Sequence, residues 1–151
     1  MRIGIDPGIS GAMALLDDNL CWLQISSMPT MTMGKRQVVN AAELAKQIKS
    51  WDNVFPKLTV YLERVSAMPG QGVSGMFNFG VSYGIIQGIV GALQIPLVLV
   101  SPTIWKKRAG LIGKPKDAAR ALAKQLYPNA PLGLKKDIGK ADALLIARFG
   151  I

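Results

Sequence analysis

Short apolar runs broken by tight turn formers occupy the first part of the chain, and helical spacing dominates the last. Met1–Asp6 reads as a strand that ends in the turn Pro7-Gly8-Ile9-Ser10-Gly11. Ala12–Leu16 and Leu20–Ile25 read as two further strands around Asp17-Asp18-Asn19, and connections this short require antiparallel neighbours. The segment holding Met28, Met31 and Met33 reads as a loop. Asn40-Ala41-Ala42-Glu43 has the form of a capping box, and Leu44, Ile48 and Trp51 share one face of the helix it opens. Leu58–Val65, rich in β-branched residues, is the next expected strand.

A Gly/Pro/Ser loop over Ser66–Ser74 leads into a helix expected from about Gly75 to Leu93. Gly80, Gly84, Gly88 and Ala92 recur every four residues, a small-residue stripe that admits another backbone, from the sheet or from a second subunit. Leu97–Val100 reads as a buried strand, and Ser101-Pro102 as the N-cap and first position of a helix. Two more helices are expected over Lys114–Tyr127 and Asp137–Phe149, the second with Ala143, Ile146 and Ala147 on its apolar side. The order β-β-β-α-β-α-β-α-α-α predicts an α/β fold: a mixed five-stranded sheet, three antiparallel strands followed by βαβ crossovers, with helices on both faces. No repeat or linker divides residues 1–151, so a single domain is expected.

The 41 uncharged residues between Arg64 and Lys106 raise the question of a membrane span. Gln87, Gln94 and Pro96 interrupt the apolar run, which favours a buried helix leading into a buried strand and no membrane association. Asp6 falls where the apolar part of a secretory signal would begin, so a cytoplasmic location is expected.

Composition narrows the chemistry. The chain has no His and one Cys, which excludes a Ser-His-Asp triad, a Cys-His pair, imidazole-ligated zinc and a Cys-rich metal site. Catalysis would fall to the nine acids, whose oxygens prefer hard cations such as Mg²⁺ or Mn²⁺. The net charge of +9 is uneven: residues 1–100 carry +1 and residues 101–151 carry +8. That asymmetry points to a polyanion, with nucleic acid preferred over an anionic membrane surface.

Most of the acids have ordinary structural places: Asp17 and Asp18 in a turn, Glu43 in a cap, Asp52 at a helix end, Asp117 in the first turn of a basic helix. Asp6, Glu63 and Asp142 instead sit in apolar surroundings on separate elements. Local pairing, Glu63 with Arg64 or Asp142 with Lys140, would explain one of them. All three together point to a shared cation. Two divalent ions about 4 Å apart could then activate water and stabilise the leaving oxygen of a phosphodiester. Asp137, five residues before Asp142, is open to two readings: a cap on the last helix, or a metal ligand reaching in from the preceding loop.

Gly70-Gln-Gly72-Val-Ser-Gly75 fits G-x-G-x-x-G, but Pro69 precedes it and no acid follows before Asp117, so dinucleotide binding is not indicated. Ile3-Gly-Ile-Asp-Pro-Gly8 is more informative, an acid at a strand end followed by a backbone turn suited to metal or phosphate. With Glu63-Arg64-Val65 on a later strand and Ala141-Asp-Ala-Leu-Leu-Ile-Ala147 near the end, it resembles the RuvC-type Holliday junction resolvases, in the short form carried by bacteriophages and prophages.

The resemblance covers nearly the whole chain. It implies an RNase H-like fold, a homodimer, Mg²⁺ or Mn²⁺ as cofactor, and paired nicks in opposed strands of a four-way DNA junction, with Asp6, Glu63 and Asp142 as metal-binding and catalytic residues. The family's fourth acid would fall at Gly139, so Asp137 is the catalytic alternative. The family's aromatic beyond the strand glutamate is Ser66 here, which leaves Met68, Phe77 or Phe79 as a wedge at the junction centre. Lys106, Lys107, Arg108, Lys114, Lys116, Lys136 and Lys140 are the expected DNA contacts, drawing phosphates toward an acidic site. Two other classes share these features: a junction-binding module without catalysis, and a phosphate-binding ATPase of the actin-like kind.

Overall fold

The computed structural model describes residues 1–55, 57–66, 70 and 72–151. Strand β1 (Arg2–Asp6) turns back into β2 (Ala12–Leu16) with Asp6 opposite Ala12. The turn closes through Gly11 N–H to the Gly8 carbonyl at 2.8 Å, and it requires glycine at 11, where a Cβ would run into the Asp6 and Gly8 carbonyls. Strand β3 (Trp22–Ser27) pairs antiparallel with β2 and begins later than the apolar pattern indicates. Leu20 takes a left-handed φ of 64°, and the Asp17 carboxylate accepts the Cys21 N–H at 2.8 Å, so both residues belong to the turn.

The methionine segment is not a loop. It forms a two-stranded hairpin, β4 (Thr30–Met33) and β5 (Arg36–Val39), with Met33 opposite Arg36 around Gly34 at φ 60°. Helix α1 (Ala41–Val54) starts where expected, with the Asn40 side chain accepting the Glu43 N–H at 3.2 Å, but the capping box does not close, because the Asn40 N–H donates to the Pro29 carbonyl at 2.8 Å. Strand β6 (Thr59–Glu63) then enters parallel to β1, followed by helix α2 (Val73–Ala92) and strand β7 (Leu97–Val100), parallel to β6. Helices α3 (Pro102–Arg108), α4 (Ala118–Leu126) and α5 (Ile138–Phe149) complete the chain, with a 3₁₀ turn over Lys135–Asp137 ahead of α5. The sheet order is β3-β2-β1-β6-β7, the expected mixed sheet with helices on both faces.

Period-2 alternation divides the core. Ile3, Ile5, Met13, Leu15, Val60 and Leu62 meet Leu44, Ile48 and Trp51 of α1 and Ile86 and Val90 of α2. Each such fully buried side chain contributes roughly 1.5–3 kcal/mol. Ala12, Ala14 and Leu16 face the other way, toward α5, α4 and Trp105 of α3. Helix α5 lies so close to β1 that a Cβ at Gly4 would collide with the Ala143 carbonyl.

Two expectations of burial fail. Strand β7 is a sheet edge, and its Val98 and Leu99 are exposed. Helix α2 is buried only at Ser82, Ile86 and Val90, although it is long and apolar enough to cross a membrane. A Cβ at Gly80, Gly84 or Gly88 would meet nothing within 4 Å, so the stripe does not pack on its own sheet. Apolar composition reports that a face avoids water; which partner covers it depends on the neighbouring elements.

Candidate active site

The sheet brings Asp6 and Glu63 together by register. Ile5 pairs with Leu62 on the parallel strands β1 and β6, so Asp6 and Glu63 end adjacent strands at the same edge of the sheet. Both share the parity of Gly4 and Tyr61 and therefore face α5. On α5, Asp142 lies one turn from the helix start, amid buried Ala141, Ala143 and Leu144. Loops beyond the carboxyl ends of parallel strands are where α/β sheets place their ligand sites.

Burial and neighbouring charge shift two of these carboxylates, Asp6 and Asp142. Burial, then the charge of Glu63, pushes the Asp6 carboxyl up to about 6, against the Gly8 backbone N–H and the cations of Lys106 and Lys116. Burial, then the charges of Asp6 and Glu63, pushes Asp142 up to about 7, again against Lys106 and Lys116. Glu63 accepts the indole N–H of Trp105 at 2.8 Å. No ion pair within 4.0 Å joins a cation to any of the three among the described residues. The local pairing of Asp142 with Lys140 does not form, because Lys140 pairs with Asp137 at 3.0 Å. Among the described residues no three acids or thiols stand close enough to enclose a metal ion as they are.

Asp137 is not part of this group. Its carboxylate accepts the Leu134 N–H at 2.8 Å and the Lys140 ammonium, which hold its pKa below the usual range. It closes the 3₁₀ turn, and its side chain does not cap α5. At position 139 an acid would not fit: a Cβ there would lie 2.6 Å from the Ser10 carbonyl and 3.0 Å from the Gly11 Cα.

Basic residues divide similarly. Lys106, Lys114 and Lys116 line a cavity of about 320 Å³ with Asp142, and Lys106 also borders one of about 600 Å³ with Glu63, Arg64, Phe79 and Thr103. Lys107 and Lys136 are exposed, Arg108 reaches the Phe149 carbonyl at 3.3 Å, and Lys140 is engaged by Asp137. Met68 lies outside the described residues. Phe77 is exposed, and Phe79 is partly exposed, its ring 3.8 Å from where a Cβ on Gly8 would stand.

Sequence reasoning missed Trp105. The available signal was a single aromatic side chain in a short polar helix, whose indole N–H needs a partner once buried.

This sheet order and helix placement define an RNase H-like α/β fold of the RuvC kind. The similar solved structures include Thermus thermophilus RuvC in complex with Holliday junction substrate and Thermus thermophilus RuvC alone. Each has a TM-score of 0.63 and 16% identity, over 97% of this chain and 89% and 90% of theirs respectively. No protein-family model matches the chain, and no curated protein does.

Proposed function

We propose that this protein is a Mg²⁺- or Mn²⁺-dependent endonuclease that resolves four-way DNA junctions by paired nicks, acting as a homodimer. The observation that carries the reading is geometric: Asp6 and Glu63 end adjacent parallel strands on the face covered by α5, which carries Asp142, beside lysine-lined cavities. The fold agrees, being shared with a RuvC solved on Holliday junction substrate.

The donor set suits a hard cation: three carboxylates with no ion pair within 4.0 Å among the described residues, at a cost in repulsion that a divalent ion would offset. Asp6, Glu63 and Asp142 would hold it, with two ions per site, and Asp137 would stay with Lys140. Bound there, Mg²⁺ or Mn²⁺ would supply Lewis-acid polarisation of the phosphoryl group and a nucleophile at neutral pH. Lys106, Lys114 and Lys116 would draw the phosphate backbone against the acids, and Trp105 would hold the Glu63 carboxylate in one orientation. The second copy would lie on α2, where the small-residue stripe is open.

Labelled four-way, Y-shaped and linear duplex DNA, incubated with Mg²⁺, Mn²⁺ or EDTA, tests this. Paired symmetric nicks in the four-way substrate alone, abolished by EDTA and by Asp6→Asn while junction binding persists, are expected. Binding without nicking under every metal condition would leave a junction-binding module instead.

A further inference from the structure

Arg64 follows Glu63 directly and has no part in the chemistry above. The pairing of these neighbours that the sequence allows does not form. Among the described residues no carboxylate lies within 4.0 Å of the Arg64 guanidinium, and Glu63 accepts from Trp105 instead. The Arg64 N–H continues the β6–β7 ladder to the Val100 carbonyl at 2.7 Å, and successive residues of a strand point to opposite faces, so the two side chains diverge. Both border the cavity of about 600 Å³ at the ends of β6 and β7, together with Ser66, Ser101, Thr103 and Lys106. Ser101 precedes α3 without capping it through its side chain. Lys106 borders both this cavity and the one holding Asp142.

We propose that the β7 side of this cavity holds a phosphate neighbouring the one that is cut, gripped by Arg64 and the hydroxyls of Ser101 and Thr103, so that Arg64 sets which phosphate of the strand lies over the acids. The inference rests on the nuclease reading above. An apolar occupant would strip water from the guanidinium and the hydroxyls without replacing their hydrogen bonds, and a cation would meet the charges of Arg64 and Lys106. An anion with accepting oxygens satisfies all of them, and a guanidinium fork matches two phosphate oxygens at once. Glu63 repels an anion from its own wall, which leaves the Ser101 and Thr103 side as the place for it. Lys106, shared with the Asp142 cavity, then lies between the cut phosphate and its neighbour.

A methylphosphonate scan tests it, because each replacement makes one phosphate neutral. In four-way junctions the phosphates on either side of the cut are replaced one at a time. Equilibrium binding is measured in the Asp6→Asn background and cutting with Asp6 intact, in each case alone and with Arg64→Gln, Arg64→Lys or Thr103→Val. One phosphate beside the cut should weaken binding about tenfold when neutralised, the scale of one charge-assisted hydrogen bond, and should fall silent with Arg64→Gln. Arg64→Gln should also make the slope of log K against log salt shallower by about 0.9. Arg64→Lys keeps the charge and loses the fork, so it should restore the slope while cuts spread to adjacent phosphates. Thr103→Val, which changes no charge, should blunt the response at that one phosphate alone. A scan that is the same with Arg64 and with Arg64→Gln overturns the assignment. So does a flat scan in a protein whose melting temperature inorganic phosphate raises through Arg64, since the cavity then serves a free anion. An Arg64-dependent phosphate in the binding scan of a protein that never cuts supports the subsite and removes the nuclease reading.

Discussion

The indole N–H of Trp105 donates to Oε1 of Glu63 at 2.8 Å, from a side chain with no solvent exposure. The bond ties α3 to the end of β6 and fixes one oxygen of a carboxylate that otherwise faces a cavity. Groups that orient a ligand in this way typically carry 10–100-fold in metal affinity or activity. Trp105→Phe keeps the buried ring and removes the N–H. It should raise the Mn²⁺ concentration needed for half-maximal cutting by about that factor, with junction affinity unchanged. An unchanged metal titration would reduce Trp105 to packing.

The stability of the metal-free protein should fall with rising pH. Asp6 and Asp142 have folded pKa values of about 6 and about 7, above the ordinary 3.8. Between about pH 4 and pH 7 the native state therefore binds more protons than the unfolded chain, and stability drops as pH rises through that window. In EDTA, the melting temperature should be lower at pH 8 than at pH 5. Asp142→Asn should raise it at pH 8 by roughly 3 °C or more while abolishing cutting. A melting temperature independent of pH across this window would contradict the buried, mutually repelling arrangement.

Asp137 has the opposite sign. Leu134 and Lys140 hold its pKa below 3.8, so its contribution is complete above the ordinary carboxylate range and is lost as pH falls below it. Asp137→Ala should cost about 1 kcal/mol by loosening the turn ahead of α5. Cutting should stay near the wild-type rate. A loss as large as that of Asp6→Asn would place Asp137 in the metal site after all.

Position 139 should not accept an acid. Gly139→Ala already pushes a Cβ into the Ser10 carbonyl and the Gly11 backbone, next to the turn that follows Asp6. Overpacking of this kind costs typically 1–3 kcal/mol. Gly139→Asp should therefore lower the melting temperature without lowering the metal concentration needed for cutting. A gain in metal affinity would show that α5 can shift to admit a fourth ligand.

Much of the site was legible in one dimension. Alternation places Asp6 and Glu63 on the same sheet face as Gly4 and Tyr61, and turn chemistry at Pro7–Gly11 ends β1 right after the acid. Asn40 and Pro102 mark helix starts through local hydrogen bonding and fixed φ. The hairpin left a weaker trace: Thr30–Met33 alternates ahead of Gly34, but Arg36–Val39 does not, and pairing of the two runs is what makes them strands.

What the sequence determined by itself was local: which residues turn, which alternate, and which acids cannot sit in apolar surroundings alone. Tertiary structure decided the partners. Lys140 took Asp137 rather than Asp142, Trp105 took Glu63, β7 became an edge, and most of α2 was left uncovered. The physical reason is that propensity and periodicity act over a few residues. A hydrogen bond across 42 positions, or the covering of an apolar face, exists only once separate elements pack.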